Sequence, residues 1–253
     1  MPERFPMNYG PASKYYDLFG SKDDVIFYKE LAIRHGGKAL ELGVGTGRVA
    51  IELAKAKVKV WGIDTSAYML DAARQKLRKE NASVRQRVVL KLGDMRSFKL
   101  CETFSFIYIA GSTFEHCITK EDQTKCLNSV YDALDNHGTL AFDVSQPKLN
   151  QPISSWWIDR KALNKNEEVV RTIFSRRNLQ TNVVSVNLFF DVYHHGELKK
   201  RYYEYGEALL SSRRSVEAML KKVGFKLKEV YGNFDKSAYS KTSEKAVFVA
   251  AKP

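Results

Sequence analysis

Between Lys38 and Val144 the chain alternates short apolar runs with longer amphipathic ones, the pattern of repeated strand–helix units around a parallel sheet. The apolar runs predict strands at Lys38–Leu42, Val58–Ile63, Val88–Leu92, Phe104–Ile109 and Thr139–Val144. Between them, Arg48–Ala56, Ala67–Lys79 and Lys120–Leu134 repeat apolar residues at helical spacing; Leu127, Val130, Tyr131 and Leu134 share one face. Crossovers of this length are right-handed and place helices on both sides of the sheet.

Beyond Pro147 the period changes. Residues Glu168–Ala208 hold strand-like stretches at Val169–Ser175, Val183–Tyr193 and Lys199–Glu207, with two-residue alternation at Val184, Val186, Leu188 and Phe190, and His195-Gly196 supplies a hairpin turn. A helical pattern returns over Ser212–Val223 and stops at Gly224. Strands at Phe225–Tyr231 and Glu244–Ala251 follow, joined by a loop too short for a helical crossover, so they should pair antiparallel. The expected fold is α/β: a doubly wound, mostly parallel seven-stranded sheet whose last strand is antiparallel, plus an antiparallel β insertion. Residues 1–147 and 209–253 form the core in this reading, and residues 148–208 form a lid on the substrate side of its carboxyl edge.

The length of 253 residues suits one such core with an elaboration, and 44% hydrophobic with 28% charged residues is a globular composition. The N-terminal stretch MPERFPMNYGPASKYYDLFG has no continuous apolar run, and no stretch is long enough to span a bilayer, so a cytoplasmic protein without a membrane partner is expected. Cys101, Cys117 and Cys126 are odd in number and lack CxxC spacing, which predicts neither a disulfide framework nor a zinc site. The net charge of +12 would suit a nucleic-acid or acidic partner. Most basic residues, however, lie in segments such as Arg74–Lys79 that read as solvated helix faces.

Candidate chemistry is concentrated after the first strand, in Ala39-Leu40-Glu41-Leu42-Gly43-Val44-Gly45-Thr46-Gly47-Arg48. Glycines at 43, 45 and 47 permit a sharp turn and close approach of a ligand to the backbone. A dinucleotide fingerprint would place glycine where Arg48 stands. Glu41 would repel a pyrophosphate but suits a cationic ligand such as S-adenosylmethionine. Asp64 ends the second strand about twenty positions after Gly43, where a carboxylate can accept both ribose hydroxyls. Gly93-Asp94-Met95 ends the third, where Asp94 could accept an adenine amine and Met95 offers an apolar face.

Together these stretches resemble the class I S-adenosylmethionine-dependent methyltransferases of Rossmann-like fold: LELGVGTGR looks like their glycine loop, GID like their ribose acid and GDM like their adenine site. The N-terminal SKYYDLFG followed by a helix is similar to small-molecule members of the amino-sugar N-methyltransferase type. The resemblance implies S-adenosyl-L-methionine as cofactor, S-adenosyl-L-homocysteine as product, no metal, and methyl transfer to a nitrogen or oxygen of a small molecule by a monomer or homodimer. The candidate cofactor residues are Tyr16, Glu41, Gly43, Gly45, Gly47, Arg48, Asp64, Thr65, Met69, Gly93, Asp94, Met95, Ala110, Gly111 and Ser112.

On the acceptor side the candidate general base is His116, whose ordinary pKa lies near neutrality. Tyr16, with Tyr15, could close over the bound pair, and Phe189, Tyr193 and Tyr203 of the insertion could exclude water. Deleting Glu168–Ala208 is therefore expected to abolish transfer while leaving cofactor binding intact. The alternatives are an RNA or protein methyltransferase, favoured by the charge and by Tyr202, Tyr203 and Tyr205 beside Lys199–Arg201, or a non-catalytic S-adenosylmethionine-binding protein. Nucleic acid is disfavoured by the absence of an Asn/Asp-Pro-Pro-Tyr motif and of a Pro-Cys pair.

Overall fold

The computed structural model describes residues 9–20, 22–146 and 154–253. Its helices are α1 (Asp23–His35), α2 (Arg48–Lys55), α3 (Ala67–Arg78), α4 (Ala82–Arg85), α5 (Lys120–Ala133) and α6 (Arg213–Val223), with two 3₁₀ helices at Pro11–Leu18 and Thr113–His116. The strands are β1 (Lys38–Leu42), β2 (Lys59–Asp64), β3 (Val88–Leu92), β4 (Phe104–Ile109), β5 (Leu134–Ser145), β6 (Ser154–Ala162), β7 (Glu167–Arg177), β8 (Val183–His194), β9 (Glu197–Leu209), β10 (Lys226–Tyr231) and β11 (Lys245–Ala251).

Seven strands form one sheet in the order β10-β11-β5-β4-β1-β2-β3, parallel except that β11 runs against both neighbours. The central strands are apolar along their length because both faces are covered; Ala39 to Leu42 are all buried. One core cluster joins Leu40, Phe104, Phe142 and Phe248 to α5 and α6, and the other joins Ala39, Phe106 and Tyr108 to α1 and α2. Helix starts follow local capping chemistry: Ser66 accepts from the Met69 amide, Thr119 from Asp122 and Ser212 from Ser215. Gly224 closes α6 at φ 110°.

The second sheet is antiparallel, in the order β6-β7-β8-β9. Its β8–β9 hairpin turns at His195 and Gly196, both at positive φ, as a tight hairpin turn requires. The sequence pattern predicts three of these strands and omits β6, an edge strand whose Ser-Ser-Trp-Trp-Ile-Asp does not alternate. β5 also begins five residues earlier than its apolar run suggests. The polar stretch Asp135-Asn136-His137-Gly138 is absorbed by a register shift against β4, with His137 at φ 63°.

The N-terminal 3₁₀ helix ties the two sheets together. Ala12 and Tyr15 pack with Leu188, Phe190 and Tyr202 on one face of the second sheet, and the Gly10 amide donates to the Glu204 carboxylate at 3.0 Å. On the other side Thr46 donates to Asp17 at 2.7 Å and the Ser66 hydroxyl to the Tyr9 carbonyl at 2.5 Å.

Candidate active site

The strand order reverses between β1 and β4, which opens a crevice at their carboxyl ends. A cavity of about 280 Å³ occupies it. Gly43 makes the first turn possible: it sits at φ 71°, its amide donates to the Ile63 carbonyl at 2.8 Å, and a Cβ there would collide with the Thr113 methyl. Asp64 clamps the loop to β2 by accepting from the Gly45 amide at 2.7 Å and the Ser66 amide at 2.8 Å. Burial raises its pKa, and these amides oppose the rise. Because Ser66 caps α3, Asp64 is free of that duty and faces the cavity.

Of the residues singled out by sequence, Tyr16, Gly43, Asp64, Thr65, Met69, Gly93, Asp94, Met95, Gly111, Ser112 and His116 line this one cavity. Glu41, Gly45, Gly47, Arg48 and Ala110 do not. Gly45 acts through its amide, Gly47 is the left-handed cap of α2, and the Ala110 carbonyl accepts the Thr113 hydroxyl at 2.7 Å. Arg48 forks onto Asp24, with Nη2 to Oδ2 at 2.6 Å, and holds α1 against the loop.

The expectation that the Glu41 carboxylate faces a cationic ligand needs correction. Glu41 is 2% exposed, accepts the Tyr108 hydroxyl at 2.9 Å, and burial pushes its pKa up to about 8. It is mostly protonated at neutral pH, packed away from the cavity. Asp94 reaches the cavity but is already clasped by Arg96: Oδ1 accepts its backbone amide at 2.8 Å, Oδ2 accepts Nη2 at 2.6 Å, and Nε bridges both oxygens at 3.0 Å. Arg96 holds the Asp94 carboxyl below its usual range, and little acceptor capacity remains for an adenine amine.

The cavity is also lined by Tyr9, Tyr16, Ser112, Glu115, His116, Cys117 and Val186. The His116 Nδ1 is buried without a hydrogen-bond partner, and burial lowers the imidazole pKa, so the ring is neutral near pH 7. Tyr9 and Tyr16 meet edge to face at 5.0 Å; burial raises both phenols, which stay protonated. Ser112, at φ 58°, is fixed by Asp143, which accepts its amide at 3.0 Å and its hydroxyl at 2.8 Å.

Tyr9, Glu115, Cys117 and Val186 escaped the sequence reading. Glu115 lies in the Ala110–His116 stretch after the fourth strand, where the resemblance places residues facing the methyl group, and Val186 is an inward member of the β8 alternation. Phe189 and Tyr203 do not wall the cavity: they pack on each other at 5.0 Å on the outer face of the second sheet, and Tyr203 is 54% exposed. Tyr193 is also off the wall.

A family model for a methyltransferase domain matches residues 39–138. A relative from Bacillus subtilis (strain 168), provisionally named methyltransferase YqeM, is 29% identical over 246 residues, 96% of each chain. Among solved structures, the CcbJ methyltransferase of Streptomyces caelestis superposes with a TM-score of 0.80 at 20% identity, covering 96% of this chain and 98% of that one. CalS10, an amino pentose methyltransferase of Micromonospora echinaspora solved with S-adenosylmethionine bound, gives 0.70 at 19% identity over 97% and 98% of the two chains. Residues 39–138 thus match a methyltransferase domain, and the chain has the mostly parallel seven-stranded α/β fold of S-adenosylmethionine-dependent methyltransferases, to which it is similar over nearly its whole length. The cavity fits that cofactor: Asp64 retains acceptor capacity for ribose hydroxyls, Gly43 and Gly93 admit close approach, and Met69 and Met95 are apolar neighbours for a purine. No helix among the described residues is long and apolar enough to cross a membrane.

Proposed function

We propose that the chain methylates a nitrogen or oxygen of a small-molecule acceptor held between Tyr16, His116 and the second sheet, with residues 154–208 forming the acceptor side; residues 148–153 of the expected lid lie outside the described residues. The observation that carries this reading is the buried, unpartnered Nδ1 of His116 in the same cavity wall as Asp64 and the glycine loop. When bound, S-adenosylmethionine supplies an activated methyl carbon, so the chain's task is alignment, exclusion of water and proton removal. Neutral His116 can take the acceptor's proton at Nδ1, provided the acceptor reaches hydrogen-bond distance. Tyr9 and Tyr16 line the same cavity as protonated phenols. Asp64 orients the ribose. The amino pentose acceptor of CalS10 supports a nitrogen-bearing sugar as the first class to examine.

The RNA reading loses its structural support. Tyr202 faces the N-terminal helix, packing on Tyr15 at 5.8 Å, whereas Tyr203 lies on the opposite face of β9, so the tyrosines do not make one stacking platform. The test is transfer from methyl-labelled S-adenosylmethionine to a panel of amino sugars, other amines, their hydroxyl analogues and RNA. His116→Asn should lower kcat about a hundredfold with S-adenosylhomocysteine affinity retained. Transfer confined to RNA, or an unimpaired His116→Asn enzyme, would overturn the proposal.

A further inference from the structure

Glu115 sits in the cavity wall next to His116, is 6% exposed, and has no role in the mechanism above. Its Oε1 accepts the Ser145 amide at 2.5 Å. Among the described residues, no lysine or arginine forms an ion pair with it. Lys245, the cation whose charge acts on it, is held by Asp143 at 3.0 Å and by the Ser112 hydroxyl at 3.2 Å. Arg96, the cation on the cavity wall, is engaged by Asp94 and Asp122. A buried carboxyl without its own counter-ion is costly to ionise, and a cationic ligand entering the cavity would offset that cost.

We propose that Glu115 selects an acceptor whose nucleophile arrives as a cationic amine, its carboxylate holding the ammonium beside Nδ1 of His116. This rests on the cofactor and acceptor reading above and decides between the nitrogen and oxygen acceptors left open there. A hydroxyl acceptor would bring no charge to pair with the carboxylate. Glu115 binds and orients; the proton still leaves to His116.

The charged and titratable groups around Glu115 include Asp143 on β5, Lys245 on β11, His116 on its own 3₁₀ helix, and Glu207 on β9, which packs against that helix, bonds His116 through its backbone and has Oε2 buried without a partner among the described residues. Burial, followed by Asp143, raises the Glu115 carboxyl to about 7, while the Ser145 amide and Lys245 oppose the rise. Attraction for a cation should therefore grow as pH rises through about 7. This differs from a purely structural role, in which Glu115 only tethers the end of β5. Glu115→Gln separates the two, because its amide oxygen can still accept from Ser145 but carries no charge.

Sinefungin is a usable probe because it carries an amine where S-adenosylmethionine carries its methyl sulfonium, whereas S-adenosylhomocysteine is neutral there. Calorimetric titration of both ligands at about pH 5.5 and about pH 7.5 should show a sinefungin preference that rises about tenfold with pH in the unaltered protein. That rise should vanish in Glu115→Gln, with S-adenosylhomocysteine affinity unchanged. A pH-independent preference in the unaltered protein, or an undiminished rise in Glu115→Gln, would overturn the assignment while leaving the cofactor reading intact. Failure of both nucleosides to bind the unaltered protein would instead remove the reading on which it rests.

Discussion

Asp64→Ala tests the cofactor cavity most directly, because Asp64 has both a structural and a ligand-facing duty. The native carboxylate receives amides from Gly45 at 2.7 Å and Ser66 at 2.8 Å. Truncation leaves two backbone donors without their acceptor, at about 1–3 kcal/mol each if they stay dry. The site opens on the cavity, where water can replace part of the loss, so a total of about 2 kcal/mol is expected. For a chain of this length that lowers Tm by roughly 4–8 °C. On the ligand side, two ribose hydroxyls lose bonds to a charged acceptor worth about 1.5–3 kcal/mol each, and a sum of about 3 kcal/mol raises Kd more than a hundredfold. Scanning calorimetry reads the first effect and titration with S-adenosylhomocysteine the second. Asp64→Asn should fall between, since one side-chain oxygen survives while its amide nitrogen confronts a backbone donor. A folded Asp64→Ala protein that binds S-adenosylhomocysteine within about twofold of the unaltered chain would place the ribose elsewhere and refute the reasoning.

Glu41→Gln should leave S-adenosylhomocysteine affinity within about threefold, because the side chain lies off the cavity wall. Its folded pKa of about 8 lies above the ordinary 4.5, so its contribution to stability is fully present below about 4.5 and lost as pH rises through 8. Melting curves of Glu41→Gln should therefore decline less between those limits, and an unchanged pH profile would contradict the buried protonated carboxyl. Gly43→Ala should fold but lose cofactor binding at least tenfold, since it combines a positive φ with a collision at Thr113; normal binding by titration would disprove the tight turn. Removing residues 154–208 with a flexible closure should abolish transfer and also weaken S-adenosylhomocysteine binding about tenfold. The deletion strips the surface on which Ala12 and Tyr15 pack, and native affinity would show that the N-terminal helix holds its place without it.

The sheet was largely legible because its signals are local: β1, β3 and β4 are short, mostly apolar runs, and Gly43, Asp64 and Asp94 stand at or just past the ends of β1, β2 and β3. What escaped depends on neighbours remote in sequence. Glu41 looks like a ligand carboxylate until β4 pairs beside β1 and brings Tyr108 opposite it. Asp94 looks free until Arg96 folds back on it. Glu115 and His116 are adjacent in the chain, yet only the imidazole advertises its chemistry, since the carboxyl owes its character to burial and to the engagement of Lys245 elsewhere. Phe189 and Val186 belong to one strand, and alternation separates them, but only the packed N-terminal helix reveals which face is inward.

If the second sheet sets the acceptor as proposed, that N-terminal helix couples acceptor choice to the cofactor cavity under sequence change. One eight-residue segment presents Ala12 and Tyr15 to the second sheet, Asp17 to the glycine loop and Tyr16 to the cavity. Grafting the second sheet from a relative onto this core would therefore transplant only half of a joint, and the incoming sheet would have to be accompanied by its own first twenty or so residues. Change at Phe190 or Tyr202 likewise bears on the cavity wall through Tyr15 and its neighbour Tyr16.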